Sequence, residues 1–344
     1  MIEEFAKEYI SLEAIRTLHN QFVKFPEDSL NNRNAPFHKA FLKAFANKLE
    51  DKVSDVPIFI SLSSWLHGLN TSLGQSFFEK TGQVLCNGEK RKFTKLKISK
   101  KQQIKISDIM ADLKNRKRLP DMKKENKELL PDDGIADKEI ANFTADVYFE
   151  DDDSITAIEL KTVKPNSSVF KAEKEKILEA KAALKRLYPS KDIYYFLGFP
   201  FDPLAKTSTG YDKEKYYSYS VDFKTYIDKN EFLLAGELWN FLSGAENTMQ
   251  IILDIINAIA TTEFMDNYEF LYKQKENIKD EKEKYLELLD KWCLYREKKI
   301  VENYKKLQKL VSTDKKLLRI FNQKPFKSDI KYNENRATSL LNLL

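Results

Sequence analysis

The sequence has 344 residues, which is too long for one small core and long enough for two domains or for one domain with large insertions. Hydrophobic residues make up 42% of the chain and charged residues 32%, so we expect a chain that folds and has much charged surface. The net charge is only +5, so the distribution of charge matters more than its total. Cys86 and Cys293 are the only cysteines, which excludes a four-cysteine zinc site and a disulfide scaffold and predicts a cytoplasmic protein.

Neither targeting nor membrane insertion is predicted. The N-terminus, MIEEFAKEYISLEAI, is acidic and amphipathic, unlike a signal peptide. No run of eighteen apolar residues occurs, so we expect no membrane span. The motifs GxxxxGK[ST], GxGxxG, GxSxG and HExxH are absent, which excludes the commonest nucleotide-binding, serine hydrolase and metalloprotease signatures.

The chain begins with predicted helices. Apolar residues at helical spacing predict a helix over residues 1–25. A second helix is expected to follow Asn34, with Pro36 in its first turn, and a third to span roughly residues 62–86. We therefore expect an N-terminal helical region over residues 1–60.

A basic segment follows at residues 89–127, with fifteen Lys or Arg against five Asp or Glu. Within it, RKFTKLKIS predicts a strand and KKQQIKISDIMADLKNRKR predicts a helix. The candidate DNA contacts at the end of this helix are Lys114, Arg116, Lys117 and Arg118. Such side chains could neutralise backbone phosphates; the alternative is an ordinary solvated face. We interpret the segment as an insertion in an α/β core that spans residues 61–260.

The centre of that core is a predicted β-hairpin. ANFTADVYF and SITAIELKTV form its strands, EDDD is its turn, and Pro165 ends the second strand. A helix over residues 167–187 and an apolar run at 192–200 that fits a buried parallel strand come next. This order predicts an α/β fold, a mixed sheet flanked by helices.

The rest of the chain predicts helices. Residues 231–260 are expected to be helical, with a break at Gly244. Residues 263–311 are charged and carry two apolar patches, which indicate a helical hairpin or a short coiled-coil seam. We expect a C-terminal helical extension over residues 261–344.

The hairpin carries the chemistry. Glu159 and Lys161 lie within an otherwise apolar strand, although a buried charge costs several kcal/mol unless it is paired or bound to a metal. Asp146 lies near the middle of the preceding strand, so closure of the hairpin brings it towards Glu159 and Lys161. Two carboxylates could hold a hard divalent cation, and Lys161 could orient or deprotonate a water for attack on a phosphodiester. The alternative is an ion pair on a solvent-facing strand.

This order of elements resembles the PD-(D/E)XK nuclease superfamily, with Ala145 at the position of the leading Pro. Scattered segments between residue 34 and about residue 260 resemble type II restriction endonucleases of the TdeIII type. These segments are NAPFHKAFLKA (34–44), SLGQSFFEK (72–80), IELKTVKPN (158–166), YYFLGFPFDP (194–203) and LLAGELWNFLSG (233–244).

The resemblance implies a restriction-endonuclease-like core and a catalytic centre in the hairpin. Asp146 and Glu159 would bind Mg²⁺ with the carbonyl of Leu160, and Lys161 would assist the water. Many such nucleases add an acid from the helix before the sheet, for which Glu79 is the candidate; the alternative is an exposed helix residue. Lys164 and Asn166, just beyond the catalytic strand, could touch DNA or belong to a plain turn.

The implied function is that of a Mg²⁺-dependent type II restriction endonuclease. It would cut double-stranded DNA at a short palindrome, with GGNCC as the implied target, and act as a homodimer because a two-fold site pairs with a two-fold protein. Two alternatives stay open on the sequence. One is a repair or structure-specific nuclease of the same superfamily, and the other is a non-catalytic DNA-binding or helical interaction protein.

Overall fold

The computed structural model describes residues 2–27, 52–53, 56–130, 134–161, 169–218 and 220–344, together with the single positions 36, 40, 42, 44 and 49. The helix predicted after Asn34, the end of the hairpin at Pro165, and the predicted contacts Lys164 and Asn166 therefore lie wholly or almost wholly outside the described residues. Within these ranges, no helix is both long enough and apolar enough to cross a membrane.

The helices of the first half of the chain are α1 (Glu4–Val23), α2 (Val56–Ser72), α3 (Glu79–Leu85), α4 (Lys100–Lys114), α5 (Met122–Leu129) and α6 (Val169–Leu187). Those of the second half are α7 (Lys213–Ser218), α8 (Val221–Tyr226), α9 (Gly236–Ser243), α10 (Thr248–Ile259), α11 (Phe264–Tyr272), α12 (Gln274–Asp280), α13 (Lys282–Lys291), α14 (Tyr295–Glu302), α15 (Tyr304–Val311), α16 (Lys315–Phe321) and α17 (Glu334–Leu341). A π-helical segment, Leu73–Phe78, joins α2 to α3.

The strands are β1 (Glu89–Phe93), β2 (Lys97–Ser99), β3 (Ala136–Glu139), β4 (Phe143–Glu150), β5 (Ser154–Leu160), β6 (Asp192–Phe199) and β7 (Phe232–Leu234). Five of them form one mixed sheet in the order β1-β4-β5-β6-β7. Its first two pairings are antiparallel, and β5, β6 and β7 run parallel to one another. The predicted mixed α/β architecture and the buried parallel strand near residues 192–200 are both confirmed.

The described residues form two compact units. The first comprises Met1–Ala6 and Phe78–Leu253 and contains the mixed sheet. Its core consists of alternate strand residues such as Val147, Ile158 and Leu197, packed against helices that include α3 and α6. The second unit, Lys7–Phe77 with Asp254–Leu344, is helical, and its core includes Tyr285, Trp292 and other apolar residues of the short helices.

Three local predictions are wrong. RKFTKLKIS is not one strand: β1 joins the main sheet, whereas β2 pairs with β3 in a separate ribbon. Phe232–Leu234 is a strand rather than the start of a helix, because its three buried apolar residues extend the sheet beside β6. The coiled-coil seam, one of the two arrangements expected at residues 263–311, is not formed by the described residues there: they form a series of short helices, α11 to α15, whose apolar patches are buried within their own unit.

Candidate active site

The β4–β5 hairpin places the predicted carboxylates side by side. Val147 pairs with Ile158 in the antiparallel register, and one further step along the same register brings Asp146 beside Glu159. The turn is fixed by Asp151, whose Oδ1 accepts hydrogen bonds from the backbone N–H groups of Asp153 (3.0 Å) and Ser154 (2.7 Å). An Asp side chain that bonds the backbone ahead of it is a common turn device. The turn therefore sets the register that brings the two acids together.

Asp146 is tied to the neighbouring elements by both of its polar ends. Its Oδ2 accepts a 2.9 Å hydrogen bond from the backbone N–H of Leu160 on β5. Its backbone carbonyl accepts a 2.8 Å bond from Nε2 of Gln83, which lies one turn beyond Glu79 on α3. These bonds hold the Asp146 carboxylate in one place at the edge of the hairpin.

Glu79 does reach this site, through Lys90. Nζ of Lys90, on β1, lies 2.7 Å from Oε2 of Glu79 and 3.4 Å from Oδ1 of Asp146. Burial raises the pKa of Glu79 above its usual value; the Lys90 ammonium opposes that shift, and the Asp146 carboxylate adds to it. Lys90 thus lies between two carboxylates and reduces the repulsion between them.

Glu159 lies between two ammonium groups. Its Oε1 is 2.6 Å from Nζ of Lys161, and its Oε2 is 2.5 Å from Nζ of Lys176 on α6. The hydroxyl of the buried Tyr195 on β6 donates to the same Oε2 at 3.3 Å. Burial alone would raise the pKa of Glu159, but Lys161 and Lys176 outweigh it and hold that pKa below its usual value. Glu159 is therefore an ionised carboxylate at neutral pH.

Lys161 has a second carboxylate partner, which explains why the apolar strand tolerates the charge of this side chain. Its Nζ lies 2.8 Å from Oε1 of Glu173 on α6, in addition to Glu159. Burial lowers the pKa of Lys161, but the Glu159 and Glu173 carboxylates more than offset this, so the net shift is upward. The ammonium is cationic at neutral pH and paired on both sides, so the strand carries no unpaired buried charge.

The predicted basic contacts lie at the end of α4 and in the loop that follows. Lys114, Arg116 and Lys117 are exposed. Arg118 is half-buried and pairs with Glu128 at 3.1 Å, so an ion pair within the fold partly neutralises its guanidinium group. Among the described residues, the ion-pair partners of Asp146 and Glu159 are Lys90, Lys161 and Lys176, and none of this group is one of them.

The sequence reasoning missed Lys90, Glu173 and Lys176. Glu173 and Lys176 lie three residues apart on α6, the helix that follows β5, which puts them on one helical face. That spacing was readable, but it has little weight in a chain with 32% charged residues. Lys90 had no signal of its own, because its role depends on the pairing of β1 with β4.

The carboxylates of the site are oxygen donors of the kind that a divalent cation binds. Among the described residues, no group of three or more His, Cys, Asp or Glu side chains is gathered as a metal cluster. Mg²⁺ does not require one, because it takes oxygen ligands and is often held by one or two carboxylates with water. Asp146 and Glu159 are partly exposed carboxylates on adjacent strands, so their chemistry fits such an ion.

Comparison with known proteins gives the family. Residues 1–260 match the family described as type II restriction endonuclease, HinfI. The chain belongs to the HinfI family of type II restriction endonucleases. It is also 44% identical, over 356 residues, to the type II restriction enzyme MjaII of Methanocaldococcus jannaschii, an alignment that covers 98% of this chain and 96% of that enzyme.

Membership of the HinfI family confirms the prediction of a type II restriction enzyme, a site-specific deoxyribonuclease. It decides against the non-catalytic and repair-nuclease alternatives. The family matched is that of HinfI, and the resemblance to the TdeIII type stays a prediction from the sequence. The matched range includes the whole β4–β5 hairpin and α6, so the candidate site lies inside the part of the chain that defines the family.

Proposed function

We propose that this HinfI-family enzyme is a Mg²⁺-dependent nuclease of the PD-(D/E)XK type, with Asp146, Glu159 and Lys161 as its catalytic residues. The observation that carries the proposal is the adjacency of Asp146 and Glu159 on paired strands, with the Lys161 ammonium 2.6 Å from Glu159. Two acids and a lysine gathered on one β-hairpin are a suitable set for phosphodiester hydrolysis.

Asp146 and Glu159 would hold the ion, together with the backbone carbonyl of Leu160. When bound, Mg²⁺ would stabilise the negative charge that develops on the phosphate in the transition state. Glu79 would complete the acidic side of the site, since Lys90 already links it to Asp146.

Lys161 acts on the attacking water by orienting it. Because its two carboxylate partners keep its pKa above the usual value, Lys161 carries a proton at neutral pH. A protonated ammonium cannot accept a proton from water, but it can donate a hydrogen bond to the water or to the phosphate oxygen beside it. We therefore favour orientation of the water by Lys161 over its deprotonation.

The substrate is double-stranded DNA with a short palindromic site. Lys114, Arg116, Lys117 and Arg118, with Lys164 and Asn166 beyond the catalytic strand, would supply contacts to the DNA backbone. We propose a homodimer because a palindrome presents two equivalent half-sites, and cytoplasmic action because the two cysteines suit a reducing compartment. The TdeIII-type resemblance makes GGNCC the first target to test.

The test is digestion of a sequenced plasmid by the purified full chain with Mg²⁺. We expect discrete fragments whose ends share one short palindrome, and we expect Asp146→Ala and Lys161→Ala to abolish them. Lys92→Met serves as a matched control, because Lys92 is an exposed lysine on β1. Absence of fragments with any divalent ion would overturn the proposal, and fragments with another palindrome would overturn only GGNCC.

A further inference from the structure

Two side chains of α6 close a ring of alternating charge with the catalytic pair. Glu159 contacts both Lys161 (2.6 Å) and Lys176 (2.5 Å). Glu173 also contacts both lysines, Lys161 at 2.8 Å and Lys176 at 3.1 Å. Each lysine therefore has two carboxylate partners, one from β5 and one from α6.

Buried ion pairs hold α6, the helix that carries Glu173, in place. Lys174 and Lys181 of α6 are fully buried and pair with Glu231; Lys174 also pairs with Glu125 of α5. Buried charges of this kind are costly to misplace, because breaking one pair leaves an uncompensated charge. They fix the position of α6, and with it the positions of Glu173 and Lys176 above β5.

Carboxylates outnumber ammonium groups at the site. Four carboxylates face three ammonium groups there: Asp146, Glu159, Glu79 and Glu173 against Lys90, Lys161 and Lys176. These ammonium groups are largely taken up by the carboxylates, so a phosphate is attracted where an ammonium group keeps enough exposure to meet it. Lys176 is available for this, because its side chain keeps 32% of its exposure while that of Lys161 keeps 21%.

We propose that Lys176 is a second lysine of the active site that binds a phosphate of the DNA, and that Glu173 is a positioning residue for Lys161 and Lys176 together. When Glu159 pairs with neither lysine, Glu173 still holds both ammonium groups at the site. The lysines then face the DNA strand as a pair, Lys161 beside the water and Lys176 on a phosphate. This inference rests on the proposed active site.

The experiment uses Glu159→Gln as a background, since this change removes the carboxylate that competes with DNA for Lys176 and should also prevent cleavage. Binding of a duplex is measured by fluorescence anisotropy between 50 and 200 mM salt. One lost phosphate contact makes the slope of log affinity against log salt shallower by about 0.9. We expect this change in slope when Lys176→Met is added to the Glu159→Gln background. Between 50 and 200 mM salt, the drop in affinity of the double variant should therefore be about 3-fold smaller than the drop for the background alone.

The matched control is Lys171→Met in the same background, which removes an exposed lysine from the same helix. Its change in slope should be clearly smaller, and Lys176→Arg should restore the slope of the background. The loss with Lys176→Met should be equal for duplexes with and without the target site, because a phosphate contact carries no sequence information.

Glu173→Gln tests the positioning role in the cleaving enzyme. We expect a lower kcat and a higher KM, because both lysines lose a partner, whereas Lys176→Met should mainly raise KM. Circular dichroism and the melting temperature of each variant establish that it is folded; a Glu173→Gln effect on melting alone would overturn the positioning role.

An unchanged salt slope on adding Lys176→Met would overturn the phosphate contact. That result is distinguishable from failure of the proposed function, because the wild-type plasmid digest does not depend on Lys176 being a DNA contact. Discrete plasmid fragments from the wild-type enzyme, together with an unchanged salt slope for Lys176→Met, would overturn only the proposed role of Lys176.

Discussion

The backbone N–H of Leu160 donates a 2.9 Å hydrogen bond to Oδ2 of Asp146. This bond joins β5 to β4 where the proposed catalytic residues lie, and it leaves Oδ1 of Asp146 directed to Lys90 at 3.4 Å. Asp146 thus has a structural role, through Oδ2, in addition to the role proposed for it in catalysis. The two roles are separable, because a neutral amide can fulfil the first but not the second.

Asp146→Ala should be less stable than Asp146→Asn by about 1 kcal/mol, because only Asn keeps an oxygen that accepts the Leu160 N–H. Both substitutions remove the same charge, so the difference isolates the hydrogen bond. The check is urea unfolding followed by circular dichroism at neutral pH. Equal midpoints for the two variants would show that the bond contributes nothing.

Lys90→Met should destabilise the protein at neutral pH and much less in acid. The pKa of Glu79 is raised by burial and by Asp146, with Lys90 opposing, from a usual value of 4.5. An acid whose folded pKa is raised loses stability as pH rises through that pKa, since ionisation is disfavoured in the fold. Without Lys90 this loss of stability grows. Lys90→Met should therefore be less stable than the wild type at pH 7.5, and the difference in stability should shrink near pH 4.5.

The measurement for Lys90 is the urea midpoint of both proteins at the two pH values. Lys92→Met is the control, because it removes one exposed charge from the same strand and has no carboxylate pair to separate. A deficit for Lys90→Met that is independent of pH would contradict a role in balancing Glu79 and Asp146.

Lys174→Met should be strongly destabilising, by about 3–5 kcal/mol, because it leaves the fully buried Glu125 and Glu231 with one partner fewer. Adding Glu125→Gln should recover part of the loss by removing the uncompensated charge. Lys171→Met, an exposed lysine on the same helix, should change stability by less than about 0.5 kcal/mol. Thermal unfolding of the three variants tests this, and equal losses for Lys174 and Lys171 would contradict it.

Gly198→Ala should destabilise the sheet beside β5 by about 1–3 kcal/mol. A methyl group at this position of β6 would lie 2.8 Å from Leu160 Cδ2 and 2.9 Å from Ile158 Cγ2, which is closer than carbon atoms pack. Gly68→Ala on α2 is the control, since its methyl group would meet nothing within 4 Å and a helix favours Ala. A Gly198→Ala protein as stable as wild type would show that the side chains of Leu160 and Ile158 can move aside without cost.

The central part of the fold was predictable because its signals are local. Hydrophobic runs and turn residues predicted β4, β5, α6 and β6, and alternation along β5 put Glu159 and Lys161 on one face. Asp151 shows why the hairpin could be read: the turn chemistry lies within four consecutive residues. The pairing of Asp146 with Glu159 then follows from the turn alone.

The rest depends on contacts that join distant segments. Lys90 gains its role only because β1 pairs with β4, more than fifty residues away in sequence. Likewise, β7 is a strand because β6 offers an edge for Phe232–Leu234, although the segment by itself predicts a helix. Glu173 and Lys176 required knowledge of where α6 crosses β5. No periodicity encodes these facts.

The most direct measurement is single-turnover cleavage of a duplex that contains the target site, with Mg²⁺, by wild-type enzyme and by Asp146→Asn. Asn keeps the acceptor for Leu160 and removes only the charge. We predict a rate at least about 100-fold lower for the variant, with an unchanged melting temperature within about 2 °C. A variant that folds normally and cuts at the wild-type rate would contradict the assignment of Asp146, and with it the active site described above.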